Sequence, residues 1–340
     1  MSTPVFSIER PGMFTTVQDL GRYSYRHYGV PVSGALDKLS MVYANVLVGN
    51  KPNEAVLEVI GGGFKAKVLT DTIVAVTGAE APILLNGSEV RSWTPIRVSK
   101  GDVIEIGLAV KGFIIYIGVF GGIDVPLIMD SRSTYTRARF GGLDGRTLKV
   151  GDIIHTKKPS RSVNEQWSII QDLVVPKDIM PYMPSIGDIV EIRVTRGQHE
   201  ELFTEESYKT FYSSTYIVTP QSDRMGYRLD GPAIKLAKEL KGGRVISLAT
   251  PIGSIQIPPD GKPIILLPDC QTTGGYAIIA TVIPLDVDKV AQCKPGVKLK
   301  FKEISISEAE EETRKYLNLL ENPPLEKLLE EEEYLYLYAG

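Results

Sequence analysis

The segment Thr219-Pro-Gln-Ser-Asp-Arg-Met-Gly-Tyr-Arg-Leu-Asp-Gly-Pro232 joins a strand-like sequence to a dense set of polar side chains. The β-branched run Tyr216-Ile-Val218 precedes it and Gly231-Pro232 ends it, which is typical of a strand that leads into an ordered loop. Within eight residues of this segment lie an amide, a hydroxyl, a carboxylate and two guanidiniums, on Gln221, Ser222, Asp223, Arg224 and Arg228. Because binding groups are often carried on loops fixed by a rigid scaffold, we predict a β-rich protein with a site at this loop.

Short runs of β-branched residues on both sides of this segment predict a mainly β fold. The first block of predicted strands is Ala55–Ile60, Ile73–Thr77, Ile83–Leu85, Ile96–Val98, Val103–Ile106, Phe113–Val119 and Ile153–His155. The second block is Ile189–Thr195, Thr215–Thr219, Arg244–Leu248, Ile255–Ile257, Ile264–Leu267, Tyr276–Ile283 and Val297–Ile304. Strands of this length and spacing, bounded by Gly, Pro or Asn, are typical of barrels and sandwiches. Two blocks of similar size suggest two related barrels that face each other.

A few segments have helical character, so the predicted fold is mainly β with α+β elements. One apolar helical face is formed by Leu39, Val42, Tyr43, Val46 and Leu47, and Asp37 is placed to cap the start of that helix. Further helices are predicted over His199–Phe211 and, in an acidic C-terminal tail, over Ser307–Leu320 and Leu325–Tyr338. The Gly12–Gly34 segment has no helical period and is predicted to be an ordered loop.

The proline-containing segment 157–185 has no clear period and is predicted to link two domains. We therefore expect a loop, a helix and a first barrel in residues 1–160, the linker and a second barrel in 161–305, and the helical tail in 306–340. Within the tail, Glu330–Glu333 is expected to face solvent and Tyr334–Leu337 to dock on the body or on a partner. Gly-Asp pairs followed by two branched residues, at 101–102, 151–152 and 187–188, predict turns at strand starts.

Composition and charge are those of an ordinary soluble globular protein. The chain has 340 residues, of which 43% are hydrophobic and 23% charged, and a formal net charge of -3. This charge gives no basic footprint for nucleic acid, and no apolar run approaches the ~20 residues needed to cross a membrane. Two cysteines without a paired motif, and a start without a signal peptide's apolar core, predict a cytoplasmic location.

Several familiar chemistries lack their sequence signatures. No phosphate-binding Gly-x4-Gly-Lys-[Ser/Thr] motif is present, and Gly61-Gly-Gly63-Phe-Lys-Ala66 leads into a strand-like run and not into the helix of a dinucleotide site. The three histidines lie far apart in no metal-binding spacing, so no metal site is predicted. No Gly-x-Ser-x-Gly elbow occurs, and Cys270 is interpreted as a small buried residue in preference to a nucleophile.

Three polar stretches share one chemistry and are predicted to meet in one cleft: Thr15–Arg22, Thr219–Pro232 and Asp269–Gly275. A glutamine side chain offers both donors and an acceptor, so it matches an amide, a lactam or a urea group. An arginine binds a carboxylate or a phosphate through two parallel hydrogen bonds. Two plainer interpretations stay open, namely glutamines placed by chance on exposed loops and arginines that form ion pairs between domains.

Several motifs resemble the biotin-dependent carboxyltransferase family, which contains carboxyltransferase subdomains A and B. They are Gly12–Arg22, Gly29–Asp37, Ala55–Val59, Gly118–Pro126, Ser131–Thr134, Gly141–Arg146, Ser222–Arg228 and Gln271–Gly275. The resemblance spans about residues 10–302 and implies two cyclophilin-like β-barrel domains, in agreement with the two strand blocks.

The resemblance also implies an activity. One branch of the family is the C subunit of an ATP-dependent 5-oxoprolinase, which opens the lactam of 5-oxoproline to give glutamate, ADP and phosphate. In that case ATP is a co-substrate of a complex whose other two components are a Kip-inhibitor-like protein and a LamB/YcsF-like protein. A second branch transfers a carboxyl group from carboxybiotin to urea or a related amide, and would here need separate biotin carboxylase and carrier proteins. A third possibility is a non-catalytic partner that antagonises a Kip-inhibitor-like protein.

These implications assign roles to the polar residues. Gln221 and Gln271 would recognise the lactam amide, Arg224 or Arg228 the substrate carboxylate, and Asp223 would act as general base or orient the reactants. The remaining wall of the cleft would be formed by Gln18, Asp19, Ser33, Asp37, Ser131, Arg132 and Thr272.

Overall fold

The β-branched runs form strands in a computed structural model, which describes residues 2–237 and 244–328. One sheet has the order β11–β1–β4–β9–β6–β7 and a second has the order β2–β3–β10–β5–β8. The first sheet contains β1 (Thr3–Pro11), β4 (Gly62–Val68), β6 (Ile83–Leu85), β7 (Ser88–Glu89), β9 (Val103–Leu108) and β11 (Ile153–Thr156). The second contains β2 (Phe14–Gln18), β3 (Val56–Ile60), β5 (Thr72–Glu80), β8 (Pro95–Val98) and β10 (Lys111–Val119).

The first strand block is thus two facing sheets around a common core. Successive side chains of a strand point to opposite faces, and β10 shows the result. Ile115 and Ile117 join the core shared by the two sheets. Ile114 and Tyr116 face the other way, into a second core formed with residues 38–47 and the second strand block. Both faces of this strand are therefore buried, which explains its nearly continuous apolar sequence.

The second strand block closes into a barrel with the order β13–β20–β17–β18–β15–β14–β21. Its strands are β13 (Ile189–Arg196), β14 (Tyr216–Val218), β15 (Gly226–Asp230), β17 (Ser254–Ile257), β18 (Ile264–Leu266), β20 (Ala277–Val282) and β21 (Lys298–Glu303). The parallel pairing of β13 with β21 closes the barrel, and Phe211 stacks on Phe301 with ring centroids 4.4 Å apart. Strand pairs outside the barrel are β12 (Leu173–Val174) with β22 (Glu326–Lys327) and β16 (Leu248–Ala249) with β19 (Thr273–Gly274).

The helices are α1 (Lys38–Leu47), α2 (Val163–Ile170), α3 (Glu205–Ser213), α4 (Pro284–Ala291) and α5 (Ile306–Glu321). The predicted cap of α1 is confirmed, since Asp37 accepts a hydrogen bond from the Ser40 backbone N–H at 3.0 Å. The helix lies directly on β10, where a Cβ at Gly118 would come within 2.0 Å of the Ala44 carbonyl oxygen. Glycine at 118 is therefore required for this close helix–sheet contact.

The three Gly-Asp pairs form turns at strand starts, as predicted. They precede β9, β11 and β13, and each glycine has a positive φ, at 100°, 88° and 100°. Each aspartate accepts a hydrogen bond from the backbone N–H three residues earlier, as Asp102 does from Ser99 at 2.7 Å. These aspartates are turn residues, and their conformation explains the repeated motif.

Several predicted segments differ in the structure. The Gly12–Gly34 loop contains β2 and a 3-10 helix at Tyr23–Tyr28, because Phe14–Gln18 pairs along β3. The predicted helix over His199–Phe211 is a short 3-10 helix, Glu200–Leu202, followed by α3, which starts where Thr204 caps it through the Ser207 N–H. Of Arg244–Leu248, only Leu248 lies in a strand.

The linker and the tail also differ in part from the prediction. The 157–185 segment contains α2, which begins with a capping box between Ser162 and Glu165. The helix predicted over Ser307–Leu320 is confirmed as α5, whereas Glu326–Lys327 forms a strand beside β12. Residues 329–340, including Tyr334–Leu337, lie outside the described residues. The domain boundaries at 160 and 305 stay a prediction.

Across residues 2–237 and 244–328, none of the helices combines the length and apolar character needed to span a lipid bilayer.

Candidate functional site

A groove runs between the second sheet and the barrel. Its largest part is a cavity of about 440 Å³, which continues into smaller pockets of about 170 Å³ and 220 Å³. The large cavity and the 170 Å³ pocket share Arg137, Asp223 and Met225. The two small pockets share Gln256, Gln271 and Tyr276. The segment after β14 and the segment around Gln271 therefore meet along one continuous groove.

Asp223 lies at the junction of the large cavity and the 170 Å³ pocket. One carboxylate oxygen accepts from the Met225 backbone N–H at 2.8 Å, and the other pairs with the Arg137 guanidinium at 2.9 Å. A turn between Asp223 and Gly226 starts β15 and fixes the carboxylate at the groove. Both partners are about half exposed, with side-chain accessibilities of 51% for Asp223 and 58% for Arg137. This ion pair is open to a ligand.

Arg224, the next residue, is buried. Its Nε and Nη2 donate to Asp269 at 3.0 and 3.2 Å, Nη2 also donates to the Gly34 carbonyl at 2.6 Å, and Nη1 pairs with Glu58. Burial opposes the charge of Arg224, but Asp269 and Glu58 outweigh it and raise the pKa of the guanidinium. Because the protein occupies all three nitrogens, Arg224 forms part of the groove wall and holds the two strand blocks together.

A chain of buried polar groups continues from this arginine across the interface. The Tyr116 hydroxyl donates to Glu58 at 2.8 Å and accepts from the Asp37 backbone N–H at 2.8 Å. The Asp37 carboxylate in turn accepts from Gln292 Nε2 at 2.7 Å. Burial raises the pKa of Glu58, against the effect of Arg224, and burial also raises the pKa of Asp37. Asp37 is therefore an interface and capping residue, away from the groove lining.

The first polar stretch, Thr15–Arg22, binds the segment around Ser131 through Asp19. The Asp19 carboxylate accepts from the hydroxyls of Ser131 and Ser133 at 2.6 and 2.5 Å, and from the backbone N–H groups of Arg132 and Gly21 at 2.6 and 2.8 Å. Protein groups therefore use the hydrogen-bonding capacity of the Asp19 carboxylate. Asp19 and Ser131 thus order the segment that leads to Arg137, and neither lines the groove.

Gln18, Ser33 and Arg132 likewise lie outside the groove lining. Gln18 is buried and donates to the Thr16 hydroxyl at 2.9 Å and to the Thr134 carbonyl at 3.2 Å. Ser33 is buried with a positive φ of 55°. Arg132 donates through Nε to a backbone carbonyl at 3.1 Å. Gln18 and Arg132 thus hold the segment before Arg137, whereas the Ser33 backbone N–H donates to the Pro268 carbonyl at 2.9 Å.

The remaining predicted residues divide between groove and surface. Arg228 and Gln271 line the 170 Å³ pocket together with Asp223. Gln221 is exposed and is not among the lining residues, and Thr272 accepts from the Thr250 N–H through its backbone carbonyl at 3.0 Å. The structure therefore brings together Asp223, Arg228 and Gln271, with Arg224 behind them.

Sequence reasoning missed Arg137, Gln256, Tyr276 and Glu58. Gln256 lies in a segment bounded by Pro and Gly, and these flanking residues could have indicated a functional residue. Arg137 and Tyr276 lie in no recognisable motif. Glu58 belongs to an apolar strand, where a lone charged residue predicted to be buried could have indicated a partner.

Comparison with known proteins identifies the family. A model of the carboxyltransferase domain, subdomains A and B, matches residues 28–303. The chain belongs to this family. It is 34% identical to the 5-oxoprolinase C subunit of Haemophilus influenzae over 300 residues, which cover 88% of this chain and 91% of the relative. It is 35% identical to the 5-oxoprolinase C subunit of Escherichia coli over 305 residues, covering 90% and 93%.

One solved structure has the same fold. The crystal structure of Kluyveromyces lactis urea carboxylase matches with a TM-score of 0.87 and 32% identity, covering 97% of this chain and 30% of that chain. The family assignment and this likeness confirm the resemblance and the mainly β fold class predicted from sequence.

Proposed function

We propose that this carboxyltransferase-family chain is the C subunit of an ATP-dependent 5-oxoprolinase. The observation that supports this is the match to two 5-oxoprolinase C subunits, each covered over more than nine-tenths of its length. The proposed reaction converts 5-oxoproline, ATP and two molecules of water, one for the lactam bond and one for the phosphoanhydride bond, to glutamate, ADP and phosphate. It takes place in a cytoplasmic complex with a Kip-inhibitor-like protein and a LamB/YcsF-like protein, and the complex provides the nucleotide-binding site.

The groove offers complementary groups for this substrate. 5-Oxoproline carries a planar lactam beside a carboxylate, and Arg228 in the 170 Å³ pocket pairs with that carboxylate. Asp223 orients the water that attacks the lactam carbon, because a backbone N–H and Arg137 already fix its two oxygens. Arg137 stabilises negative charge that develops on the substrate. Arg224 is a positioning residue here, since its nitrogens are occupied.

The test is 5-oxoproline-stimulated ATPase activity in the complex reconstituted from its three proteins. Asp223→Asn keeps the acceptor for the backbone turn but removes the charge, so we expect kcat to fall by about 100-fold or more. Asp230→Asn is the matched control. Asp230 lies on β15, pairs with Lys262 at 2.8 Å and is outside the groove, so its variant keeps wild-type kcat. Equal activity in both variants would remove Asp223 from the mechanism.

Carboxyl transfer from carboxybiotin to urea or a related amide is the second candidate, favoured by the likeness to urea carboxylase. Its test is incorporation of labelled bicarbonate into an amide product in the presence of a biotin carboxylase and its carrier. Labelled product that disappears on addition of avidin supports transfer. Turnover of 5-oxoproline without bicarbonate supports the lactam reaction.

A further inference from the structure

Two glutamine amides meet at the junction of the small pockets. Gln256 lies on β17 and is only 3% exposed, whereas Gln271 follows β18 and is half-buried. Gln271 Nε2 donates to Gln256 Oε1 at 3.4 Å. Among the described residues, Gln256 Nε2 has no hydrogen-bond partner although it is shielded from solvent. A buried amide nitrogen without a partner is costly, so this arrangement calls for a functional explanation.

The amide pair keeps one donor and one acceptor whichever way the two groups are turned. With Gln271 as donor, Gln256 Nε2 and Gln271 Oε1 are left over. With both amides rotated by 180°, Gln256 Oε1 and Gln271 Nε2 are left over. One donor and one acceptor on neighbouring amides are the groups that a cis amide needs, because its carbonyl oxygen and its N–H point to the same side.

The surroundings of the pair suit a small planar ring. Tyr276 lines both small pockets with the two glutamines and provides an aromatic surface. Arg228 lines the 170 Å³ pocket as well and adds a cationic residue to its wall. Gly274 lies against the pair, because a Cβ there would approach Gln256 Nε2 to 2.6 Å. A residue with a side chain at 274 would displace the amide.

We propose that Gln256 and Gln271 form a recognition site for a cis amide in a ring, either a lactam or a cyclic urea. For a lactam ligand, this inference rests on the proposed function. It adds Gln256 to that function as a specificity-determining residue. The lactam carbonyl and N–H of 5-oxoproline bind the leftover donor and acceptor, and its carboxylate binds Arg228. A cyclic urea such as the ureido ring of biotin offers the same edge without an adjacent carboxylate.

The experiment measures KM for 5-oxoproline in the reconstituted complex with Gln256→Met, which has similar volume and no amide. We expect KM to rise about 10-fold or more, because the variant loses hydrogen bonds to the substrate amide. The thermal midpoint is expected to stay level or rise, since an unpaired buried polar group is removed. A structural role alone would lower the midpoint and leave KM unchanged. The control is Gln171→Met, at the exposed end of α2, which keeps wild-type KM.

Gly274→Ala provides an independent test that retains both glutamines. The added methyl displaces the Gln256 amide, so KM is expected to rise in the same direction as in Gln256→Met. If the wild-type complex turns over 5-oxoproline and neither variant changes KM, this inference is wrong and the proposed function stands.

Calorimetry on the full complex separates the two ring types, with 5-oxoproline, 2-pyrrolidinone and biotin as probes. Binding of 5-oxoproline that weakens in Gln256→Met supports the lactam arm. Absence of 5-oxoproline turnover, together with biotin binding that is lost in Gln256→Met, overturns the proposed function and supports the cyclic-urea arm. No binding of any probe to the wild-type complex overturns the inference.

Discussion

Asp223 and Arg224 are neighbours in the chain, yet their ion pairs lie in opposite surroundings. Arg224 is 5% exposed and pairs with Glu58 and Asp269, which are as deeply buried. Asp223 pairs with Arg137 at the groove, where both are about half exposed. The same chemistry thus serves two purposes. The buried cluster has every nitrogen occupied and joins the strand blocks, whereas the exposed pair retains capacity to bind a ligand.

The largest expected effect comes from removal of the buried guanidinium. Arg224→Leu leaves Glu58 and Asp269 buried without a counter-charge, which is expected to cost about 3–5 kcal/mol of unfolding free energy. Urea unfolding followed by circular dichroism measures this loss. The control Arg137→Leu changes an exposed pair and is expected to cost less than about 1 kcal/mol. Equal losses in the two variants would contradict the contrast between the regions.

Asp288 is a buried carboxylate that, unlike Glu58 and Asp269, does not pair with an arginine among the described residues. It therefore shows how a buried carboxylate behaves without the charge that Arg224 provides. Asp288 accepts from the Tyr316 hydroxyl at 2.6 Å and from the Leu39 N–H at 3.0 Å. Burial, with Asp37 nearby and Lys38 opposing, raises the pKa of Asp288 to about 7. The folded state therefore binds its proton more tightly than the unfolded state does, so stability falls as pH rises from about 4 to about 7.

Asp288→Asn removes this titration and keeps a neutral amide in its place. Between pH 4 and pH 8, the wild type is expected to lose roughly 2–4 kcal/mol more unfolding free energy than the variant. Urea unfolding at a series of pH values gives both curves. Parallel curves would show that Asp288 stays charged in the folded protein.

The smallest expected effect is the coupling energy of the exposed pair. A double-mutant cycle with Arg137→Gln and Asp223→Asn is expected to give less than about 1 kcal/mol, and less again at high salt. The same cycle measured on the kcat of the complex is expected to give a larger coupling, because both groups act on one substrate. If the coupling free energy of Arg137 with Asp223 were as large as that of Arg224 with Glu58, the exposed pair would also serve to hold the two strand blocks together.

Much of the fold could be predicted because its signals are local. The β-branched runs, the cap at Asp37 and the Gly-Asp turns each depend on residues a few positions apart. The helix at 163–170 was not predicted, because its segment is short and mixed in polarity and the capping box is its main local signal. Strand β2 was not predicted, because it is defined by pairing with the distant strand β3.

The sequence alone determined which stretches carry polar chemistry, where most strands lie and which family the motifs resemble. Only the tertiary structure decided which polar groups already have hydrogen-bond or ion-pair partners within the protein. The Asp19 carboxylate accepts hydrogen bonds from two serine hydroxyls over 110 residues away in the chain. The Arg224 guanidinium pairs with Glu58 from another strand block. It also placed Gln256 beside Gln271. A side chain's availability depends on what fills its hydrogen bonds, and those partners come from distant parts of the chain.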